Sequence, residues 1–265
     1  MNRYRATFER LRGEGRTALI PFAVAGDPGC AASEAVFKTY VNAGADILEI
    51  GYPFSDPIAD GPVNQRAAGR AIGAGLNHRR FFRLVRSLRA YTDMPFGLLA
   101  YANSVHHYGY RRFCDEAVEA GIDSLLVADL PPEEADEALA AMNRARLGSV
   151  FIVSELTPAD RMTYICAKTT AFVYVVSRLG PTGAAGAVGS AVGATLGRLR
   201  KATGLPLCVG FGLSTPAHVR AVRAAGASGA IVGSALVSLI EQHRARPRLM
   251  LRHLYRRVGL LKKAT

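Results

Sequence analysis

Eight short apolar runs recur along the chain, and helix-like segments separate them. The runs are Ala18–Ala25, Ala45–Tyr52, Pro95–Tyr101, Ser124–Leu130, Ser149–Ser154, Ala171–Ser177, Pro206–Gly212 and Gly229–Gly233. Most are continuously apolar, the pattern of parallel strands covered on both faces. Between them the spacing predicts helices from Ser33 or Glu34 to Asn42 (capped by Ser33), Asn77–Tyr91, Tyr108–Ala120, Glu133–Arg144, Pro158–Lys168, Gly189–Ala202 and Pro216–Ala225. Two helix-to-strand joints share one pattern, Ala43-Gly44-Ala45-Asp46 and Ala120-Gly121-Ile122-Asp123, and Ala225-Gly226-Ala227-Ser228 is close to it. A glycine there suits the left-handed residue that ends a helix. In Pro247–Leu261, Met250, Leu254, Val258 and Leu261 share one face, which predicts a docked amphipathic helix.

The alternation predicts an α/β protein, a single (β/α)8 TIM barrel with extra N-terminal and loop helices, spanning residues 1–265 as one domain. One such barrel takes about 250 residues. A doubly wound open sheet is the rival. It would carry a GxGxxG turn after the first strand, and Val24-Ala25-Gly26-Asp27-Pro28-Gly29 does not fit.

The net charge of +12 suggests an anionic partner. The basic residues are nearly all arginine, many of them in Arg79–Arg89 and Arg244–Arg257, and no nucleic-acid recognition motif accompanies them. Neither a nucleic acid nor a membrane is therefore expected as partner. The stretch Leu179–Gly197 lacks charge up to its last residue but is mostly small, and reads as a loop leading into a helix. The widely spaced Cys30, Cys114, Cys166 and Cys208 suit buried free thiols in a reducing compartment. Met1-Asn2-Arg3-Tyr4-Arg5 opens no apolar leader, so a cytoplasmic location is expected.

In such a barrel the chemistry belongs on the loops after the strands. The loop after the second run, Glu49 to Pro62, is long and polar. Alternation puts Ile47, Glu49 and Gly51 on one face and Leu48 and Ile50 on the other. Glu49 then points into the barrel mouth, partly desolvated, with its pKa raised. A carboxylic acid near neutrality can both give and take protons. The plain alternative is a Glu paired with a core Arg, and Arg178 is the one arginine at a strand end. Asp60, in Asp-Gly-Pro, is a second carboxylate or merely a turn.

The last three strand ends carry Gly180-Pro181-Thr182-Gly183, Gly210-Phe211-Gly212-Leu213-Ser214 and Gly233-Ser234-Ala235. Glycine backbones and a helix N-terminus there form the usual phosphate cradle of this barrel class. No Lys lies on a run, which argues against Schiff-base chemistry. His106 and His107 stand without a ligand cluster, so no metal is expected. Carboxylate acid–base chemistry on a small phosphorylated molecule remains, with Phe22, Leu99, Leu126 and Ile231 as apolar surroundings.

These residues resemble the tryptophan synthase α chain family over nearly the whole length. The match runs through Pro21-Phe22, Gly26-Asp27-Pro28, Glu49 to Pro62, Tyr101-Ala102-Asn103, Leu126 to Pro131, Ser177-Arg178, Thr182-Gly183, Gly210 to Ser214 and Gly233 to Ala235. The resemblance implies cleavage of indole-3-glycerol phosphate to indole and glyceraldehyde 3-phosphate. It implies a β-chain partner in an α2β2 complex, with pyridoxal phosphate only in that partner and no cofactor in this chain. By it, Glu49 protonates indole C3 and takes the glycerol hydroxyl proton, Asp60 holds the indole N–H, and Tyr174 backs Glu49. Gly183, Gly212, Gly233 and Ser234 bind phosphate. Phe22, Leu99, Leu126, Thr182 and Ile231 wall the indole, and Pro53 and Asp56 face the partner. Pro181, Phe172, the run Ala184–Gly189, and Ala100, expected near the indole wall, depart from the family pattern. A stand-alone lyase releasing free indole and a non-catalytic phosphate-binding paralogue are the alternatives.

Overall fold

The structure, a computed structural model, describes residues 3–176 and 185–265. Eight parallel strands close into a barrel in chain order. They are β1 (Ala18–Val24), β2 (Leu48–Gly51), β3 (Phe96–Ala100), β4 (Ser124–Val127), β5 (Gly148–Ser154), β6 (Phe172–Val176), β7 (Leu207–Gly210) and β8 (Gly229–Val232). Each falls within or beside its expected run. The helices are α1 (Arg3–Gly13), α2 (Cys30–Asn42), α3 (Pro62–Gly73), α4 (His78–Tyr91), α5 (Ala102–Tyr108) and α6 (Tyr110–Ala120). Then follow α7 (Asp136–Ala145), α8 (Ala159–Lys168), α9 (Ala185–Ala202), α10 (Pro216–Ala224), α11 (Ser234–His243) and α12 (Pro247–Lys262).

Alternation along the strands separates two cores. Ile20, Ile47, Leu126, Val150, Tyr174, Cys208 and Ile231 fill the barrel, and Tyr4, Phe8 and Leu11 of α1 belong to the same cluster. Leu19, Leu48, Ile50, Leu98, Val173 and Val209 face outward and pack with the helices. The docked face of α12 is fully buried at Met250, Leu254, Val258 and Leu261.

The repeated joint has a specific use. Gly44, Gly121 and Gly226 take positive φ of 96°, 103° and 85°. Two residues on, Asp46 accepts from Leu19 N at 2.8 Å, Asp123 from Phe96 N at 2.8 Å, and Ser228 from Leu207 N at 3.1 Å. Each therefore satisfies an orphan N–H at the start of the neighbouring strand.

Four local readings change. Ser33 lies inside α2 and its hydroxyl accepts from Gly26 N, while Gly29 caps the helix. The predicted Tyr108–Ala120 helix is broken at Gly109 (φ 91°), giving α5 and α6. α3 was not expected from the sequence, although Pro62 at its first position suits a helix start. The stretch read as a loop leading into a helix is helical from Ala185. Cys114, Cys166 and Cys208 are buried free thiols, whereas Cys30, opening α2, is partly exposed.

Candidate active site

The strand register places Glu49 opposite Phe22 on β1 and Gly97 on β3. Its side chain lies on the inner face at the top of the barrel and is only 5% exposed. Burial pushes its pKa up to about 8, and the like charge of Asp60 adds to the shift. No cation figures among the groups that shift it, so the salt-bridged alternative has no support among the described residues; Arg178 lies outside them. At neutral pH Glu49 is therefore a protonated acid whose conjugate base is accessible.

Asp60 comes to the same cleft from the loop after β2. The Tyr101 hydroxyl donates to its Oδ2 at 2.8 Å, and the Asn64 amide donates to its Oδ1 at 2.9 Å. Asn64 stands one helical turn beyond Asp60, inside α3, and Tyr101 follows β3. Phe54 stacks on the Tyr101 ring at 5.3 Å, which braces the loop. Tyr174 on β6 is buried, and burial together with the charges of Glu49 and Asp60 pushes its hydroxyl well above the ordinary tyrosine value. It remains a hydrogen-bond donor at any working pH. A Cβ at Gly210 would lie 2.3 Å from that hydroxyl, so the glycine leaves the space that Tyr174 fills.

The far wall is backbone. Gly233 caps α11, whose first residue is Ser234. Gly233 O already accepts from Leu236 N and Val237 N, whereas no backbone partner is found for Ser234 N or Ala235 N among the described residues. Those two donors at a helix N-terminus suit an anion. Phe211 and Gly212 take φ of 75° and 76° and turn the chain across the cleft mouth. A positive φ is strained for phenylalanine, which stands 56% exposed there.

One cleft, enclosing about 150 Å³, gathers Phe22, Glu49, Asp60, Leu99, Leu126, Tyr174, Gly212, Ile231, Gly233 and Ser234. Thr182 and Gly183, together with Pro181 and the start of the run Ala184–Gly189, lie outside the described residues. Two positions differ from expectation. Pro53 is buried within its own chain, so it presents little to a partner, whereas Asp56 is exposed beside Ile58, which is 73% exposed. Ala100 belongs to the outer core, because β3 alternation gives Leu99 and Tyr101 to the cleft instead. Sequence reasoning missed Tyr101, Asn64, Ile152 and Phe211 as cleft residues. The Asp60–Asn64 spacing of one helical turn was a usable signal for Asn64. Among the described residues no group of three or more His, Cys, Asp or Glu is placed to hold a metal ion, and no helix is long and apolar enough to cross a membrane.

A family model described as "Tryptophan synthase alpha chain" matches residues 8–265. The tryptophan synthase alpha chain of Methanoregula boonei is 43% identical over 264 residues, covering 100% of this chain and 98% of the relative. The crystal structure of tryptophan synthase subunit alpha from Legionella pneumophila is similar at a TM-score of 0.91 and 34% identity, covering 100% and 98% of the two chains. That of tryptophan synthase from M. tuberculosis, aminoacrylate-bound, is similar at 0.88 and 30% identity, covering 100% and 99%.

Proposed function

The chain belongs to the tryptophan synthase alpha chain family, and from that premise we propose how its own residues perform the family's reaction. It is a carbon–carbon lyase of tryptophan biosynthesis that cleaves indole-3-glycerol phosphate to indole and glyceraldehyde 3-phosphate. The observation that carries the assignment of roles is Glu49, buried and held near pKa 8 in the cleft that Asp60 also lines.

Protonated Glu49 gives its proton to C3 of the indole ring. Positive charge then develops toward the ring nitrogen, whose N–H faces the carboxylate of Asp60. The Glu49 carboxylate next takes the proton of the glycerol hydroxyl on the carbon attached to C3. The C–C bond breaks, its electrons return to the ring, and the aldehyde leaves. Glu49 ends protonated, so the proton inventory closes within one turnover. One carboxyl can serve both steps because C3 and the hydroxyl-bearing carbon are bonded neighbours. Tyr174 donates beside Glu49 and the substrate tail. Phe22, Leu99, Leu126, Thr182 and Ile231 enclose the ring, and Gly183, Gly212, Gly233 and Ser234 take the phosphate.

The chain works as one barrel domain with a β chain in an α2β2 heterotetramer. Asp56 and its loop face that partner. No cofactor is needed for the cleavage, and pyridoxal phosphate belongs to the β chain. Free thiols suit a cytoplasmic setting. Indole release from indole-3-glycerol phosphate, followed while β chain is titrated in, tests this reading. Turnover that rises with β chain is expected; no detectable indole at any ratio overturns it.

A further inference from the structure

Two helices build opposite ends of the cleft. α3 begins at Pro62, two residues after Asp60, and carries Asn64. α11 begins at Ser234 in the phosphate cradle. Away from the cleft, a chain of four charged side chains joins them. Arg70 on α3 grips Asp27 with two parallel bonds, Nε to Oδ1 at 2.7 Å and Nη2 to Oδ2 at 3.0 Å. Its third nitrogen donates to Glu241 Oε1 at 2.7 Å. Arg66, one turn earlier on α3, holds Glu241 with two bonds of 2.8 Å. Glu241 stands in the last turn of α11, and the Asp27 carboxylate, in the turn after β1, is fully buried.

Between this bridge and the cleft the contact is apolar. Ala67, Ala68 and Ala71 of α3 cluster with Val237 of α11, Phe22 and Val24. Alanine and valine side chains offer no directional bond between the two helices. A guanidinium fork on two carboxylates does not slide, because its donors lie in one fixed plane. The four formal charges sum to zero.

We propose that Arg70 and Glu241 are positioning residues that hold the α11 phosphate cradle in register with Asp60, so that the remote phosphate aligns the indole over Glu49. This rests on the phosphate and carboxylate roles assigned above. Binding energy from a non-reacting part of a substrate accelerates the reaction only if the protein transmits it rigidly to the reacting centre. Misplacement by about 1 Å can cost on the order of a hundredfold in rate.

The test compares indole-3-glycerol phosphate with indole-3-glycerol, which lacks the phosphate. The ratio of their kcat/KM values measures what the phosphate contributes. In Arg70→Met or Glu241→Gln that ratio is expected to fall about tenfold or more, mostly through kcat for the phosphorylated substrate. A role confined to stability lowers both substrates by the same factor, and that result, or no change, overturns the inference. Glu241→Gln keeps the side chain's size and carries the test if Arg70→Met does not fold, as circular dichroism will show. A wild-type ratio near one is a separate outcome: it removes the phosphate cradle itself, and this inference with it.

Discussion

The hydroxyl of Tyr101 and a carboxylate oxygen of Asp60 lie 2.8 Å apart, although 41 residues separate them in the chain. With the Asn64 amide on the other oxygen, Asp60 is held from two sides and its plane is set before substrate arrives. A carboxylate preset in this way loses little freedom when it meets developing positive charge.

Tyr101→Phe keeps the ring and its stacking on Phe54 while removing one donor to Asp60. A hydrogen bond to a charged carboxylate is worth about 1.5–3 kcal/mol, so kcat/KM is expected to fall by roughly ten- to a hundredfold. Steady-state kinetics on indole-3-glycerol phosphate decide this, and an unchanged kcat/KM would show that the hydroxyl does not orient Asp60.

Glu49→Gln preserves shape but can neither give nor take the proton. Turnover is expected to drop by about 10²–10⁴-fold with substrate still bound. Calorimetric titration separates the two effects. If kcat survives, the proton travels through another group.

The pKa of Glu49, raised to about 8, predicts two pH effects in different windows. Below about 8 the neutral acid predominates and can protonate C3, so kcat/KM is expected to hold there and decline above it. Stability follows the other consequence. Folding raises this pKa from 4.5, so the folded chain holds the proton more tightly, and the stability gained from it is lost as pH climbs through the interval to about 8. Glu49→Gln lacks that loss. At about pH 9 the variant is expected to be the more stable by roughly 1–3 kcal/mol, with the melting curves drawing together near about pH 5. Parallel curves across the range would contradict a buried, proton-binding Glu49.

The barrel and Glu49 were legible because both are written in local pattern. Continuous apolar runs mark strands buried on both faces, and one carboxylate within such a run has to face either helices or barrel mouth. Gly44, Gly121 and Gly226 were legible for the same reason, since a positive φ excludes most side chains. What escaped depends on contacts between distant residues. Tyr101 reads as the end of a strand until β3 is set beside the loop carrying Asp60. Ser33 reads as a cap until Gly26 N is found against its hydroxyl. Phe211 adopts a backbone that no propensity predicts for phenylalanine. The Arg70 bridge joins residues 27, 66, 70 and 241, which no window of sequence contains.

Ser234 gives the sharpest separation of folding from binding. It is the first residue of α11, where an acidic side chain is favoured by the helix dipole by about 0.3–1 kcal/mol. Ser234→Asp should therefore fold at least as stably as the wild type. The same carboxylate would stand within a few ångströms of a doubly charged phosphate. Like charges about 4 Å apart repel by about 1 kcal/mol in bulk water and about 4 kcal/mol near a protein surface. An increase in KM of at least about tenfold is expected, with kcat reduced less. Because the substitution suits the helix, a weakened enzyme cannot be ascribed to misfolding when the melting temperature is unchanged or higher. An unchanged KM would place the phosphate away from the α11 N-terminus.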